Sequence, residues 1–173
     1  IIETDYKYGV VETEEELSKI LNKDLSIFFE FSDFNYHKAT LWGVGISDSV
    51  NNYFIDAQYA LSSKVLQDYL LNDKYKKYTY NYKALKVFLL WNNLDIKNVE
   101  YDLLLAAYIL KSSVGKEDFT SIVQGFDIND ISYDEEVYGK GVKKALSLIP
   151  SDYETHITKK AYIIYKLMKK TLE

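Results

Sequence analysis

The stretch Leu25-Ser26-Ile27-Phe28-Phe29-Glu30-Phe31 decides the architecture. It is too short for a typical buried helix, too apolar for a loop, and carries a single carboxylate, Glu30; such a run reads as a buried strand. Leu41-Trp42-Gly43-Val44-Gly45-Ile46 reads as a second strand. Tyr53-Phe54-Ile55 forms a third, after the turn Ser49-Val50-Asn51-Asn52. Three strands with short connections predict an antiparallel meander. Upstream, Thr13-Glu14-Glu15-Glu16 has the form of a capping box and opens a helix that runs to about Leu21.

Downstream the period changes to that of helices. Leu61, Val65, Leu66 and Tyr69 recur at helical spacing between Ala60 and Leu71. Lys77 to Tyr82 reads as a further strand, and Ala84 to Trp91 as a helix. Asp102 to Leu110 is an almost wholly apolar helix and is expected to be buried. Glu117 to Gln124 forms another. Residues 126–151 are polar, hold Gly139, Gly141 and the only proline, Pro150, and read as an irregular excursion. Tyr153 to Leu172 closes the chain as an amphipathic helix. A meander followed by strand–helix alternation predicts a mixed α/β sheet with helices on its faces.

The length of 173 residues predicts one domain, residues 1–173, and 47% hydrophobic with 27% charged residues is a globular mix. No apolar run reaches ~18 residues, so no membrane span is expected. The acidic start, without an apolar segment, does not read as a signal peptide. The absence of an initiating Met suggests a piece of a longer chain. Without cysteine there is no disulfide framework and no thiolate metal site, which fits the cytoplasm. The formal net charge is −5, and all 21 basic residues are lysines. Phosphate neutralisation supplies most nucleic-acid affinity, so weak or no DNA binding is expected of this chain alone. The lysine-only composition also suits an AT-rich genome.

Tyr101-Asp102-Leu103-Leu104-Leu105-Ala106-Ala107-Tyr108-Ile109-Leu110 resembles the helix after the second exonuclease motif of bacterial family A DNA polymerases. Asp134-Glu135-Glu136-Val137-Tyr138-Gly139-Lys140-Gly141-Val142-Lys143-Lys144-Ala145 resembles a loop of a Gram-positive-type subgroup. Phe28-Phe29-Glu30 followed by Asn35-Tyr36-His37 resembles that subgroup too. The resemblance covers essentially the whole chain. It implies a ribonuclease H-like exonuclease fold with a mixed five-stranded sheet, meander plus parallel strands, flanked by helices. It also implies a monomer whose partners are the polymerase and 5′-nuclease domains of one parent chain, with DNA reached through that parent.

Proofreading exonucleases of this family hold two metals through carboxylates, because hard Mg²⁺ wants oxygen ligands. The resemblance places Glu30 and Ser32 where Asp-x-Glu belongs on the first strand. It places Leu85 at the aspartate of the second motif. His156 and Lys160 fall where Tyr-x-x-x-Asp belongs on the last helix. One acid of four remains, and two close Mg²⁺ ions repel unless several carboxylates neutralise them. No metal, no catalytic residue and no cofactor are therefore expected here, Mg²⁺ belonging to the parent polymerase. The domain reads as vestigial, with Glu30, Ser32, Leu85, His156 and Lys160 as relic positions. Lys160 is expected to pair with Glu30 within about 6 Å, replacing a metal as the local positive charge.

Two rival readings stand beside it. An active nuclease would combine Glu30 with Asp33, Asp102, Asp152 or Glu154. A nucleic-acid-binding module would use Lys74, Lys76, Lys77, Tyr78 and Tyr80, where cations and aromatics interleave as in a stacking platform. Lys140, Lys143 and Lys144 would add a phosphate cradle around Gly139 and Gly141, although the spacing is not that of a P-loop. A strand with a solvated entry turn explains the first segment more simply, and an exposed loop the second. His37 and His156, with no cysteine nearby, make a poor zinc set.

Overall fold

The computed structural model describes residues 6–32, 39–111, 114–141 and 144–172. Among these, six strands form one sheet: β1 (Gly9–Val11), β2 (Leu25–Phe31), β3 (Leu41–Ser47), β4 (Asn52–Asp56), β5 (Lys77–Thr79) and β6 (Val99–Asp102). Eight α-helices accompany them: α1 (Glu14–Ile20), α2 (Ala57–Ser62), α3 (Lys64–Leu71), α4 (Tyr82–Trp91), α5 (Leu103–Leu110), α6 (Phe119–Gln124), α7 (Asp134–Tyr138) and α8 (Pro150–Thr171).

The strand order is β1-β4-β3-β2-β5-β6. The meander β2-β3-β4 is antiparallel, as the sequence predicts, while β5 and β6 continue the sheet in parallel and β1 joins β4 in parallel. The sheet has six strands rather than five. β1 and β6 are three and four residues long, too short for a period-2 pattern to stand out.

Strand side chains alternate between faces, and β2 divides the core accordingly. Leu25, Ile27 and Phe29 join a cluster with Leu17, Leu66, Leu70, Leu85, Phe88 and Leu89, from α1, α3 and α4. Phe28 faces the other way, with Phe119, Ile122, Ile157, Ala161 and Ile164 from α6 and α8. α8 lies closely on the sheet because β3 offers glycine there. A Cβ on Gly45 would stand 2.6 Å from the Ile157 carbonyl oxygen, and one on Gly43 would stand 2.5 Å from the Phe54 ring. Ser26 Oγ, buried beside them, donates to the Ala161 carbonyl at 2.5 Å and fixes the depth of the helix.

Three local readings are corrected by backbone chemistry. The helix expected from Ala60 to Leu71 is two helices broken at Ser63, whose extended backbone lets its hydroxyl cap Leu66 N–H. The strand expected to reach Tyr82 ends at Thr79, because Asn81 turns left-handed (φ 59) and caps α4. The Asp102 carboxylate fixes that turn. It accepts from the N–H groups of Asn81 and Tyr82 at 2.7 and 2.8 Å while capping α5 through Leu104 N–H. Residues 126–151, expected to be irregular, contain α7, which carries two side chains into the cleft described next.

Candidate functional site

A cavity of about 180 Å³ opens where β2 and β5 end. Phe28, Phe31, Tyr80, Ala84, Leu85 and Phe119 make apolar walls; Glu30, Glu117, Asp118, Asp134, Lys144 and Lys160 contribute charge. Clefts at the carboxyl ends of strands in α/β sheets are the usual place for ligands.

Glu30 is on the face of β2 that looks toward α8 and is 6% exposed. His156 and Lys160 stand one turn apart on α8, hence on one side of it. They are 4% and 1% exposed. Lys160 Nζ donates to Glu30 Oε2 at 2.7 Å, well inside the range expected from the sequence, and to Asp134 Oδ1 at 2.8 Å. His156 Nε2 meets the same Asp134 oxygen at 2.7 Å. The Tyr138 hydroxyl donates to Glu30 Oε2 at 3.0 Å, and its ring stacks at a tilt on Trp42. The Lys160 ammonium also lies 4.9 Å from the centre of the Phe28 ring, within cation–π range.

The electrostatics follow from two carboxylates sharing one ammonium. Burial pushes Glu30 up to about 7, against the pull of Lys160. Burial acts on Asp134 in the same direction, but Lys160 and His156 overcome it and hold Asp134 well below the usual carboxylate range. Asp134 is partly exposed and keeps its charge more readily than the more deeply buried Glu30. Burial lowers His156, which favours the neutral imidazole. Burial alone would lower Lys160, but the two acids raise it and keep it cationic. Burial, then the adjacent Glu30, raises the Tyr138 hydroxyl, which stays a donor.

Of the relic positions, Glu30, Leu85 and Lys160 line the cavity, and His156 joins through Asp134. Ser32 does not. It lies past β2 and exchanges hydrogen bonds with Thr40, its N–H to Thr40 O and its Oγ accepting from Thr40 N–H, both at 2.9 Å. Phe28, two residues before Glu30, is the neighbour that shares its face. Asp134 and Tyr138 were missed by sequence reasoning. They lie in the quoted loop, but Asp134-Glu135-Glu136 looks like any acidic first helical turn. The rival acids are occupied elsewhere: Asp102 in the caps above, Asp152 with Ser147 Oγ, Glu154 with the Tyr8 hydroxyl. Asp33 and His37 lie outside the described residues.

The lysine–tyrosine platform needs correction. Lys77 is 0% exposed, donates to the Asn72 carbonyl at 2.6 Å and sits over the Tyr69 ring. Tyr78 is buried in the second core cluster, and Tyr80 forms a cavity wall with its hydroxyl on the Glu117 carbonyl. β5 lies between β2 and β6 with helices on both sides, so its alternation marks two buried faces. Lys74 and Lys76 alone remain on the surface. Lys140 pairs with Glu135, Lys144 lies over the Trp42 ring, and Lys143 is outside the described residues.

The sheet order and the cleft beneath α8 define a ribonuclease H-like exonuclease fold. The catalytic core of RRP6 from Trypanosoma brucei shares it with a TM-score of 0.73 at 14% identity, over 99% of this chain and 48% of that one. Escherichia coli RNase D, described as an exoribonuclease, gives a TM-score of 0.68 at 15% identity, over 96% of this chain and 44% of that one. These likenesses establish the fold alone.

A family described as "DNA polymerase I, ribonuclease H-like domain" matches residues 27–167, and the chain belongs to it, the 3′→5′ exonuclease domain of bacterial DNA polymerase I. DNA polymerase I of Bacillus subtilis is 34% identical over 141 residues, which is 80% of this chain and 16% of the relative. That of Geobacillus stearothermophilus is 30% identical over 133 residues, 77% of this chain and 15% of the relative. The chain thus spans about one sixth of the length of these relatives. No helix among the described residues is long and apolar enough to cross a membrane.

Proposed function

We propose that this domain is a vestigial, catalytically silent 3′→5′ exonuclease domain. It serves as a folded support within a longer, monomeric, cytoplasmic DNA polymerase I used in replication and repair. Its partners are then the polymerase and 5′-nuclease domains of the same chain, and the parent supplies both the Mg²⁺ and the DNA contact.

One observation carries the reading: the Lys160 ammonium stands 2.7 and 2.8 Å from the carboxylates of Glu30 and Asp134. Two-metal hydrolysis needs two divalent ions a few Å apart, held by several hard oxygen donors. Of the acids that line the cavity, Glu30 and Asp134 meet at the Lys160 ammonium, Glu117 accepts from the Tyr108 hydroxyl and Asp118 caps α6, while Leu85 presents methyl groups. The donor set does not fit a pair of Mg²⁺ ions, so no hydrolytic step is assigned to these residues. The net charge of −5 and the burial of Lys77 and Tyr78 further argue against a strand-binding platform.

The test is single-stranded DNA labelled at its 5′ end, incubated with the chain in Mg²⁺ or Mn²⁺. The expected outcome is a full-length label at all times. Shortening from the 3′ end that Glu30→Ala abolishes would replace this reading with an active, rearranged nuclease.

A further inference from the structure

We propose that the outward stripe of α5, made by Leu105, Tyr108, Ile109 and Leu110, is the face on which this domain docks against an apolar surface of the polymerase domain of its parent chain. This rests on the reading of the chain as one domain of a longer DNA polymerase I, and adds to it the place of contact.

All eight residues of α5 are aliphatic or aromatic: Leu103-Leu104-Leu105-Ala106-Ala107-Tyr108-Ile109-Leu110. A helix that is apolar on every side is normally covered on every side. This one is covered on one side only. Leu103, Leu104 and Ala107 enter the second core cluster, together with Leu167 and Met168 of α8. Leu105, Ile109 and Leu110 are 57, 73 and 52% exposed, and Tyr108 is 47% exposed. Residues three and four apart share a helix face, so these side chains form one stripe. A single exposed apolar side chain is ordinary on a protein surface, whereas four adjoining ones on one helix mark an interaction site.

Other helices of the domain turn charge toward water. α1 presents Glu15 and Lys19, α3 presents Lys64 and Asp68, and α8 ends in exposed Lys169 and Lys170. The polar groups around α5 are held within the domain. Asp102 caps its first turn, the Tyr108 hydroxyl donates to Glu117, and the Lys111 ammonium lies 4.6 Å from the centre of the Phe126 ring. The stripe itself carries no charge, which suits an apolar protein surface and not a phosphate backbone.

Size selects the occupant. Eight residues make a helix about 12 Å long, so one side of it offers roughly a few hundred Å². A free second copy needs about 800 Å² per partner to stay bound. A domain joined through the same chain needs far less, because the link holds it at an effective concentration in the millimolar range. The chain covers 16% of the length of Bacillus subtilis DNA polymerase I, so most of such a parent lies outside it. The relatives are DNA polymerases, and a polymerase domain is therefore the neighbour that the parent must supply.

The experiment labels surface side chains by carbene footprinting in the 173-residue chain and in its full-length parent. Labelling of Leu105, Ile109 and Leu110 is expected to fall several-fold in the parent. Leu105→Lys/Ile109→Lys should melt within about 2 °C of the wild type in the isolated chain, as exposed substitutions do. In the parent the same pair should restore the labelling of Leu110 and speed proteolytic separation of this domain from the polymerase domain. Equal labelling of the stripe in the isolated chain and the parent overturns the inference. A dimer of the isolated chain in sedimentation that the double variant dissolves overturns it too, since the occupant is then a second copy. If the double variant does not fold, a photocrosslinking residue in place of Ile109 in the parent gives the second reading. Crosslinks to the polymerase domain support the inference; crosslinks to the 5′-nuclease domain or to a second molecule, or none at all, overturn it. None of these readouts involves nuclease activity. Failure here leaves the vestigial reading standing, and exonuclease activity in the wild-type chain would overturn that reading instead.

Discussion

The two faces of the sheet solve the same packing problem differently. Beneath α1, α3 and α4 the core is apolar apart from the buried Lys77 ammonium on the Asn72 carbonyl, and other polar partners sit at the edge, where Glu14 gathers the hydroxyls of Tyr59 and Ser63 and the N–H groups of Lys64 and Val65. Beneath α8 the core is interrupted by Glu30, Lys160 and His156, each nearly sealed from water. Burying a charge is costly unless it is paired and hydrogen-bonded, and here each one is. The first face is built for stability. The second keeps the outline of a cleft, which a core chosen for stability alone would have filled with aliphatic side chains.

Four expectations sharpen or break that contrast. The largest effect should come from Lys160→Ala, which leaves the buried Glu30 facing Asp134 without a cation; denaturant titration should show a loss of about 3–5 kcal/mol. Replacing Glu30 and Lys160 together by Met should recover most of it, because no orphaned charge remains at the buried end. A double variant as unstable as Lys160→Ala would mean that the ion pair is itself the main support of this face. On the opposite face Leu89→Ala, at a site with no polar partner, should cost about 3 kcal/mol through a cavity and should show no dependence on pH.

The third expectation concerns acid. Glu30, pushed up to about 7 from an ordinary 4.5, binds its proton more tightly folded than unfolded. Its contribution is therefore fully present below pH 4.5 and is lost as the pH rises through about 7. Asp134, held low, acts in the opposite sense, and its contribution disappears only in stronger acid. His156, held below its ordinary 6.5, adds a rise over the same window in both proteins, so the stability of the wild-type chain relative to Glu30→Gln, measured in steps across pH 4.5–7, should decline by on the order of 2–3 kcal/mol. A decline that persists in Glu30→Gln would assign the titration to another group. The smallest effect is that of Glu14→Ala, which removes the acceptor for the start of α3; a loss of about 1–2 kcal/mol is expected by thermal melting, again without the slope between pH 4.5 and 7.

The fold was largely legible because period is a local signal; burial was less so, since α5, expected to be buried from its apolar residues, exposes Leu105, Tyr108, Ile109 and Leu110. Leu25–Phe31, Leu41–Ser47 and the α8 helix could each be read from their own residues, and the meander followed from their spacing. The strands β1 and β6 could not, being shorter than the period needed to recognise them. Lys77 misled for a related reason: an alternating Lys/Tyr segment looks solvated until a neighbour covers it, and β5 is covered on both sides. At the site, Glu30 and Lys160 could be paired from the sequence because the resemblance aligned β2 with α8. Asp134 could not, because nothing in Asp134-Glu135-Glu136 distinguishes the acid that points inward from the two that do not.

The sequence by itself determined most of the strands and helices, the family, and the replacement of the expected acids by Leu85 and Lys160. Only the tertiary structure decided which charges meet. Strands and helices are specified by contacts between residues near in the chain, whereas Glu30 and Lys160 are 130 residues apart and Asp134 reaches them from a third element. Their contact depends on how deeply α8 sits against Gly43 and Gly45, and that depth is a property of packing.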